Sequence, residues 1–451
     1  MPKSNRRETG RRIIAAAFVL LAAACVSAQT EPAPAREGSA ATPAKQTIAP
    51  PVAGEVRALW VVRTTLTSPE KIRAMVKSAS RSGFNTLVVQ VRGRGDAYYT
   101  SRWEPRASAL KDQRRDFDPL ALAISEAKRA GLRVHAWINT SLLANLDDLP
   151  TEDSHVWNSH PDWLAVPRAV AAELYATAPA DPRYRAKIVE WSKANRAELE
   201  GVYTSPAHPA VREHVYSVWM DLLERYPDLS GLHFDYVRLA SPDFDHSRTS
   251  LDRFRAWLDP RLSTAERRLL DDALKSNPLA AADAYREQFA DFQRDQITSL
   301  VERVYHGVKK RKPEAIVSAA VFANDADAYA RRFQDWKRWL AMGVIDVVCP
   351  MAYTTDTAVF RKQIEIATAA AHASGKRIWA GVGAYRIPVE SSVEKISVAR
   401  GLAADGFILF SYDFTAAPSQ PNNPAGDYLE RLRRAAFDAD AKTGTASGGK
   451  Q

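Results

Sequence analysis

Cysteine is nearly absent from these 451 residues: only Cys25 and Cys349 occur, and Cys349 sits in an apolar run, so no disulfide framework supports the fold. The apolar run at 13–24 falls short of the ~20 residues that a membrane-spanning helix needs. The nine histidines contain no HxH or HExxH spacing, so no metal and no cofactor is expected. No long basic run and no basic stripe interleaved with aromatic residues occurs, which argues against nucleic acid as a partner. No glycine-rich phosphate fingerprint follows the first predicted strand, which disfavours a dinucleotide-binding open sheet. What remains is the composition of an ordinary globular protein, 46% hydrophobic and 25% charged, with enough apolar residues for one large core.

Lys3, Arg6, Arg7, Arg11 and Arg12 precede the apolar run, and Ala22, Ala23, Ala24 and Cys25 follow it, the order of an export signal. Small residues directly before a cysteine resemble the lipobox of bacterial lipoproteins, with Ala22 where that pattern prefers Leu. Lipidation of Cys25 is therefore expected, and it would hold the protein in the periplasm as an outer-membrane lipoprotein. Val26-Ser27-Ala28 offers an ordinary cleavage site instead, which would release a soluble periplasmic protein. The formal charge of +9 includes five basic residues and Glu8 ahead of Cys25; setting these aside leaves a mild +5. Residues 26–54, rich in Ala, Pro and Thr without apolar periodicity, read as an extended tether, and 438–451 as a disordered tail. The folded unit is expected at 55–437.

Within that unit one pattern repeats: a short apolar run rich in Val, Ile and aromatics, a loop, then an amphipathic helix. The alternation predicts parallel βαβ units with strands at 57–62, 86–92, 133–139, 231–238, 316–322, 346–353, 377–385 and 406–413. Eight such units predict an α/β fold, the (β/α)₈ TIM barrel. Gly83, Gly131, Gly231, Gly343, Gly375 and Gly406 each lie just before a strand, and Ser68-Pro69 and Asp118-Pro119 each place a capping side chain before a proline at the first helical position. The connections at 140–205 and 239–277 are long insertions after the third and fourth strands. The first carries Trp157, Trp163, Tyr175, Tyr184, Trp191 and Tyr203, which either offer platforms for sugar rings or form the insertion's own core.

In this fold the C-terminal strand ends carry the chemistry. The two-residue period of the fourth strand puts His233 and Asp235 on one face, with Asp235 near the end. A carboxylate in an apolar strand needs a reason: either an ion pair with Arg238, Arg92 or His233, or glycoside cleavage, in which a carboxylate stabilises or attacks an oxocarbenium-like centre. The second strand brings Arg92 and Asp96 to the same mouth, and the third brings His135, Trp137 and Asn139, as groups for sugar hydroxyls or for orienting Asp235. Later strand ends offer Asn324, Asp325, Asp327, Tyr353, Asp356, Tyr412 and Asp413. The second catalytic carboxylate is sought at Asp325 or Asp356, although Asp356 and Asp327 also sit where a helix cap belongs.

These strand-end motifs carry a resemblance. Glu55-Val-Arg-Ala-Leu-Trp-Val, Gln90-Val-Arg through Gly95-Asp-Ala-Tyr-Tyr, His135-Ala-Trp-Ile-Asn, His233-Phe-Asp-Tyr-Val-Arg, Phe292-Gln-Arg-Asp-Gln-Ile and Pro350-Met-Ala-Tyr together resemble the glycosyl hydrolase-like 10 family of bacterial envelope proteins. The resemblance implies a (β/α)₈ hydrolase, with relatives that include an outer-membrane lipoprotein cleaving peptidoglycan glycan strands stripped of stem peptides. The fifth strand departs from it, reading Ala319-Ala-Val-Phe-Ala-Asn-Asp where many relatives have a Ser-Pro-Phe-Gly-like end. A chitinase-type mechanism is rejected, because Val237 stands where the catalytic glutamate would be. The leading reading is a glycosidase acting on a bacterial glycan; a glycan-binding barrel without catalysis is the alternative, and a metal-dependent hydrolase is the weakest.

Overall fold

A computed structural model describes residues 49–50, 53–416, 423 and 425–438. The expected signal segment, Cys25, nearly all of the tether and the tail beyond 438 lie outside the described residues.

Eight parallel strands close into a barrel: β1 (Val56–Val61), β2 (Thr86–Arg92), β3 (Arg133–Asn139), β6 (Gly231–Asp235), β7 (Ile316–Phe322), β8 (Val347–Ala352), β9 (Arg377–Val382) and β10 (Gly406–Leu409), with β10 pairing back onto β1. β4 (Leu142–Ala144) and β5 (Val202–Tyr203) form a small antiparallel pair in the first insertion. The closed order settles the choice between barrel and open sheet. Three strands match the sequence expectation residue for residue, and the others stop earlier, because the chain turns outward once it clears the barrel rim.

Local signals act as the sequence predicts. The Ser68 side chain accepts from the Lys71 amide and that of Asp118 from Ala121, each starting a helix that packs outside the barrel. Gly83, Gly131, Gly343 and Gly375 end helices in the left-handed conformation. Gly231 serves differently: a Cβ there would lie 2.5 Å from the Ile316 carbonyl oxygen and 2.7 Å from the His135 ring, so its absence lets strand and histidine pack together.

The core lies in two shells. Alternate strand residues pack outward against the helices, while Ala58, Trp60, Val88, Trp137, Cys349, Trp379 and Ile408 fill the interior. Registers stack the interior side chains in layers: His135, Trp137 and Asn139 of β3 align with Gly231, His233 and Asp235 of β6. The insertion aromatics resolve as core: Trp157, Trp163, Tyr184 and Tyr203 are buried, and Tyr175 and Trp191 pack against them. Of the two readings left open for these aromatics, sugar platforms or the insertion's own core, their burial fits the second, because the antiparallel pair and the short helices around it need a hydrophobic centre of their own.

Candidate active site

β6 stops at Asp235 rather than continuing to 238, because Tyr236 takes φ +50°, a left-handed conformation unfavourable for a bulky residue. The turn brings the Tyr236 amide onto Asp235 Oδ1 at 2.7 Å, and the Trp137 indole N–H donates to Oδ2 at 3.1 Å. Asp235 is 8% exposed. Burial pushes its carboxyl from 3.8 up to about 6, against the pull of the Tyr236 amide, the Arg238 charge and the Trp137 N–H; the Glu200 charge pushes it the same way as burial.

Each of the three candidate structural partners of Asp235 has another partner of its own, although the Arg238 charge still acts on the carboxyl. Arg238 donates to Glu200 Oε1 at 2.7 Å and lies over the Tyr236 ring at 4.7 Å. Arg92 makes a buried bidentate pair with Glu104, at 2.7 and 2.8 Å, and His214 approaches the same carboxylate at 3.1 Å. His233 lies one layer below. Trp60 Nε1–H can only donate, so His233 Nε2 (3.1 Å) is the acceptor and Nδ1–H donates to Ser318 Oγ at 2.8 Å. Burial lowers this imidazole to about 3, which keeps it neutral.

Behind Asp235 runs a hydrogen-bonded ladder. Trp137 Nε1 also reaches Asn139 Oδ1 at 2.8 Å, Gln90 Nε2 donates to the same oxygen at 3.3 Å, and Arg63 Nη1 donates to Gln90 Oε1 at 3.0 Å. Asn139 Nδ2 is held by the Gly93 carbonyl at 3.0 Å. The indole that bonds Asp235 is therefore fixed by residues of three strand ends. Across the mouth, Trp60, Tyr353, Tyr385 and Phe410 meet edge to face or tilted, with centroids 5.4–6.2 Å apart. Tyr385 and Phe410 are partly exposed, so the mouth has one acidic wall and one aromatic wall.

Of the residues expected at the site, Trp137, Asn139 and Asp235 come together, with His233 beneath and Tyr353 opposite. His135 does not join them. It aligns with the first residue of β6, packs against Trp379, and has neither ring nitrogen hydrogen-bonded, so it is a neutral core residue far below the rim. Arg92 is committed to Glu104 and to the carbonyls of Asn139 and Thr140. Asp96 accepts from the Arg94 amide at 2.8 Å in the loop after β2. Asp325 opens the helix Asp325–Arg331 and pairs with Lys337; Asp356 is exposed and caps the helix Thr357–Ala373 through the Ala358 and Val359 amides. Asp413 accepts from the Val62 amide and the Thr64 and Thr65 hydroxyls, tying the end of β10 to the end of β1, and Tyr412 stands beside it. Three contributors escaped the sequence reading: Gln90, Arg63 and Glu200. Gln90 carried a signal, as the polar residue in step with Arg92 on an otherwise apolar strand. Glu200 carried none, since it lies deep in an insertion and meets Arg238 only through the fold.

Curated relatives are similar over part of their length. The chain is 22% identical over 300 residues to Glycosyl hydrolase DigH of Escherichia coli (strain K12), covering 60% of this chain and 55% of that protein. It is 23% identical over 331 residues to Glycosyl hydrolase YngK of Bacillus subtilis (strain 168), covering 66% and 54%. The chain thus spans about half the length of the curated relatives it matches. Among solved structures, the catalytic domain of β-amylase from Paenibacillus polymyxa superposes with a TM-score of 0.56 at 11% identity, over 85% of this chain and 99% of that one. The β-galactosidase from Marinomonas ef1 gives 0.54 at 12% identity, over 84% and 58%. These likenesses are of fold. Membership is carried by the family model, which matches residues 55–398, and the chain belongs to the Glycosyl hydrolase-like 10 family.

Proposed function

We propose that this protein is a glycoside hydrolase acting on a bacterial envelope glycan, with peptidoglycan strands as substrate and Asp235 as its acid–base carboxyl. The observation that carries the reading is Asp235 itself: buried at the rim, hydrogen-bonded among the described residues by N–H donors alone, and raised to about 6. A carboxyl in that range holds its proton near neutral pH long enough to give it to a leaving sugar oxygen. Glu200 is the proposed second carboxylate. Its charge acts on Asp235, and its two oxygens accept from Arg238 and from the Tyr203 hydroxyl, which orient it. The aromatic wall of Tyr353, Tyr385 and Phe410 supplies flat apolar faces for sugar rings.

The test is product analysis on purified glycan strands, intact and stripped of stem peptides, with wild type, Asp235→Asn and Glu200→Ala. Loss of cleavage in both variants with folding retained is expected, and azide should restore turnover to Glu200→Ala if Glu200 attacks the sugar. Unchanged turnover in Asp235→Asn would sink the assignment. A glycan bound tightly by wild type without cleavage would favour the binding-barrel alternative. The envelope address is part of the same proposal: Cys25→Ser should move the protein from the membrane to the soluble periplasmic fraction, and a wholly soluble wild type would reject lipidation.

A further inference from the structure

The face of the barrel opposite the mouth carries positive charge that the proposed chemistry does not use. It is made of the first residues of the strands, the loops leading into them and the last turns of the surrounding helices. The carboxylates of those loops are engaged. Asp228 pairs with Lys128, Glu314 with Lys312, Asp346 with Lys309 and Lys376, and Glu55 with Arg400, at 2.6–3.8 Å. Asp405 accepts from the Ile378 amide at 3.0 Å and lies 3.2 Å from His372 Nε2. The cations are not used up in the same way. Arg81 and Lys310 lie in the last turns of the helices Pro69–Arg81 and Arg286–Arg311, Arg133 and Arg377 open β3 and β9, and all are exposed. Arg133 reaches only the Asn85 side-chain oxygen, at 3.4 Å, and the side chains of the others make no hydrogen bond or ion pair among the described residues.

Helix dipoles account for part of this, since a cation in a last helical turn answers the partial negative charge there. Strand starts have no such dipole. Arg133 and Arg377 nevertheless sit at them, in step with His135 and Trp379, at the floor of the barrel. Their charges meet there: burial first, and then the Arg377 charge, lower Arg133 from the usual arginine value, and both cations act on His135. Like charges held together repel unless an anion joins them. The chain ahead of the barrel leaves from this same face. The Ala49 amide donates to Ser397 Oγ at 2.8 Å, and its carbonyl accepts from Arg400 Nη1 at 2.9 Å. Arg400 is in turn buried against Glu55 and donates to the Ala436 carbonyl. The segment that holds the apolar run at 13–24 and Cys25 therefore joins the barrel on its basic side.

We infer that this basic floor is a docking face for an anionic phospholipid bilayer, met by Arg81, Arg133, Lys310 and Arg377 beside the point where the N-terminal segment departs. Charge complementarity and that point of departure name the occupant. A bilayer with anionic headgroups is a wide, flat anion, which a spread of exposed guanidinium and ammonium groups fits, and the apolar run and Cys25 lie on the segment that leaves from here. Docked in this way the barrel turns Asp235, at the far end of β6, away from the membrane. The contact is weak and reversible, so it orients an anchored protein and does not retain a free one in the membrane fraction. It rests on the envelope address for access to a membrane, and on neither lipidation nor glycan cleavage for its physics.

The experiment sediments purified Cys25→Ser protein with vesicles of phosphatidylcholine alone and of equal parts phosphatidylcholine and phosphatidylglycerol, over a range of lipid concentrations. Binding is expected to the anionic vesicles only, and to vanish between about 0.1 and 1 M salt as the Debye length shrinks from ~10 to ~3 Å. Arg133→Gln, Lys310→Gln and Arg377→Gln combined should lower lipid affinity about a hundredfold. Lys111→Gln, Arg115→Gln and Arg361→Gln combined remove the same net charge from exposed positions after β2 and near the start of the helix Thr357–Ala373, on the mouth side, and should change it by less than about twofold. None of these side chains forms an ion pair among the described residues, so both triple variants should keep the wild-type melting temperature, which separates lost docking from lost folding. Equal loss of affinity in the two triple variants reduces the effect to net charge and overturns the docking face, as does failure to bind anionic vesicles. Binding of stripped peptidoglycan strands through Arg133, Lys310 and Arg377 without binding of vesicles assigns the face to a glycan and also overturns it. A wild type wholly soluble in cells rejects lipidation, and vesicle binding by the Cys25→Ser protein then still supports the docking face.

Discussion

The charge state of Asp235 can be read from stability alone. An acid whose folded-state value lies near 6 against 3.8 in the open chain binds its proton more tightly when folded. The sign follows: the wild type is unpenalised below about pH 4, loses stability as pH rises from 3.8 to about 6, and is flat above. A gap of about two pH units corresponds to about 3 kcal/mol. Asp235→Asn removes the titration. It also introduces an amide NH₂ facing either the Trp137 indole or the Tyr236 amide, an offset of roughly 1–3 kcal/mol that does not depend on pH. The expected result is therefore a slope rather than a single value. The stability of the variant minus that of wild type should rise by about 3 kcal/mol between about pH 3.5 and 7, which urea titrations across that range would measure. In a chain of this size the same change moves the melting temperature by only about 1 °C per kcal/mol, so denaturant is the better probe. A flat difference would refute the desolvation argument. A difference that falls with pH would show that the ionised carboxylate is a favourable partner of Arg238, and Asp235 would then be structural.

Trp137→Phe keeps the ring but removes the N–H from Asp235 Oδ2, so the alkaline limb of kcat/KM, expected near pH 6, should move upward; a pH–rate profile that does not shift would remove Trp137 from the site. Glu104→Gln leaves Arg92 buried beside a neutral amide and should destabilise the fold by about 3–5 kcal/mol in urea unfolding, with little pH dependence near neutrality, since Arg92 holds the Glu104 carboxyl down at about 2. Asp356→Ala should lower stability by about 1 kcal/mol through loss of its cap while turnover is unchanged; lost turnover with stability intact would return Asp356 to the catalytic candidates.

Much of the architecture was legible in sequence because its causes are local. Alternating apolar runs and amphipathic stretches mark strand and helix within a few residues, and Ser68, Asp118 and the glycines before strands act on neighbours in the chain. The position of Asp235 was legible for the same reason, since parity along one strand and the fold's rule about strand ends suffice. His135 shows the limit: it shares that parity with Asn139, but register against β6 places it at the floor.

By itself, then, the sequence determined eight βα units, two long insertions and a carboxyl at the fourth strand end. Only the tertiary structure decided which charge meets which. Arg92 meets Glu104 rather than Asp235, Arg238 meets Glu200 38 residues earlier, Trp137 reaches Asp235 across 98 residues, and Asp413 holds Val62 across 351. The physical reason is one of range. Periodicity and capping are set by contacts within a turn or a strand, whereas ion pairs and raised carboxyls depend on closure of the barrel, which joins its first and last strands and fixes the burial and electric field at each rim residue.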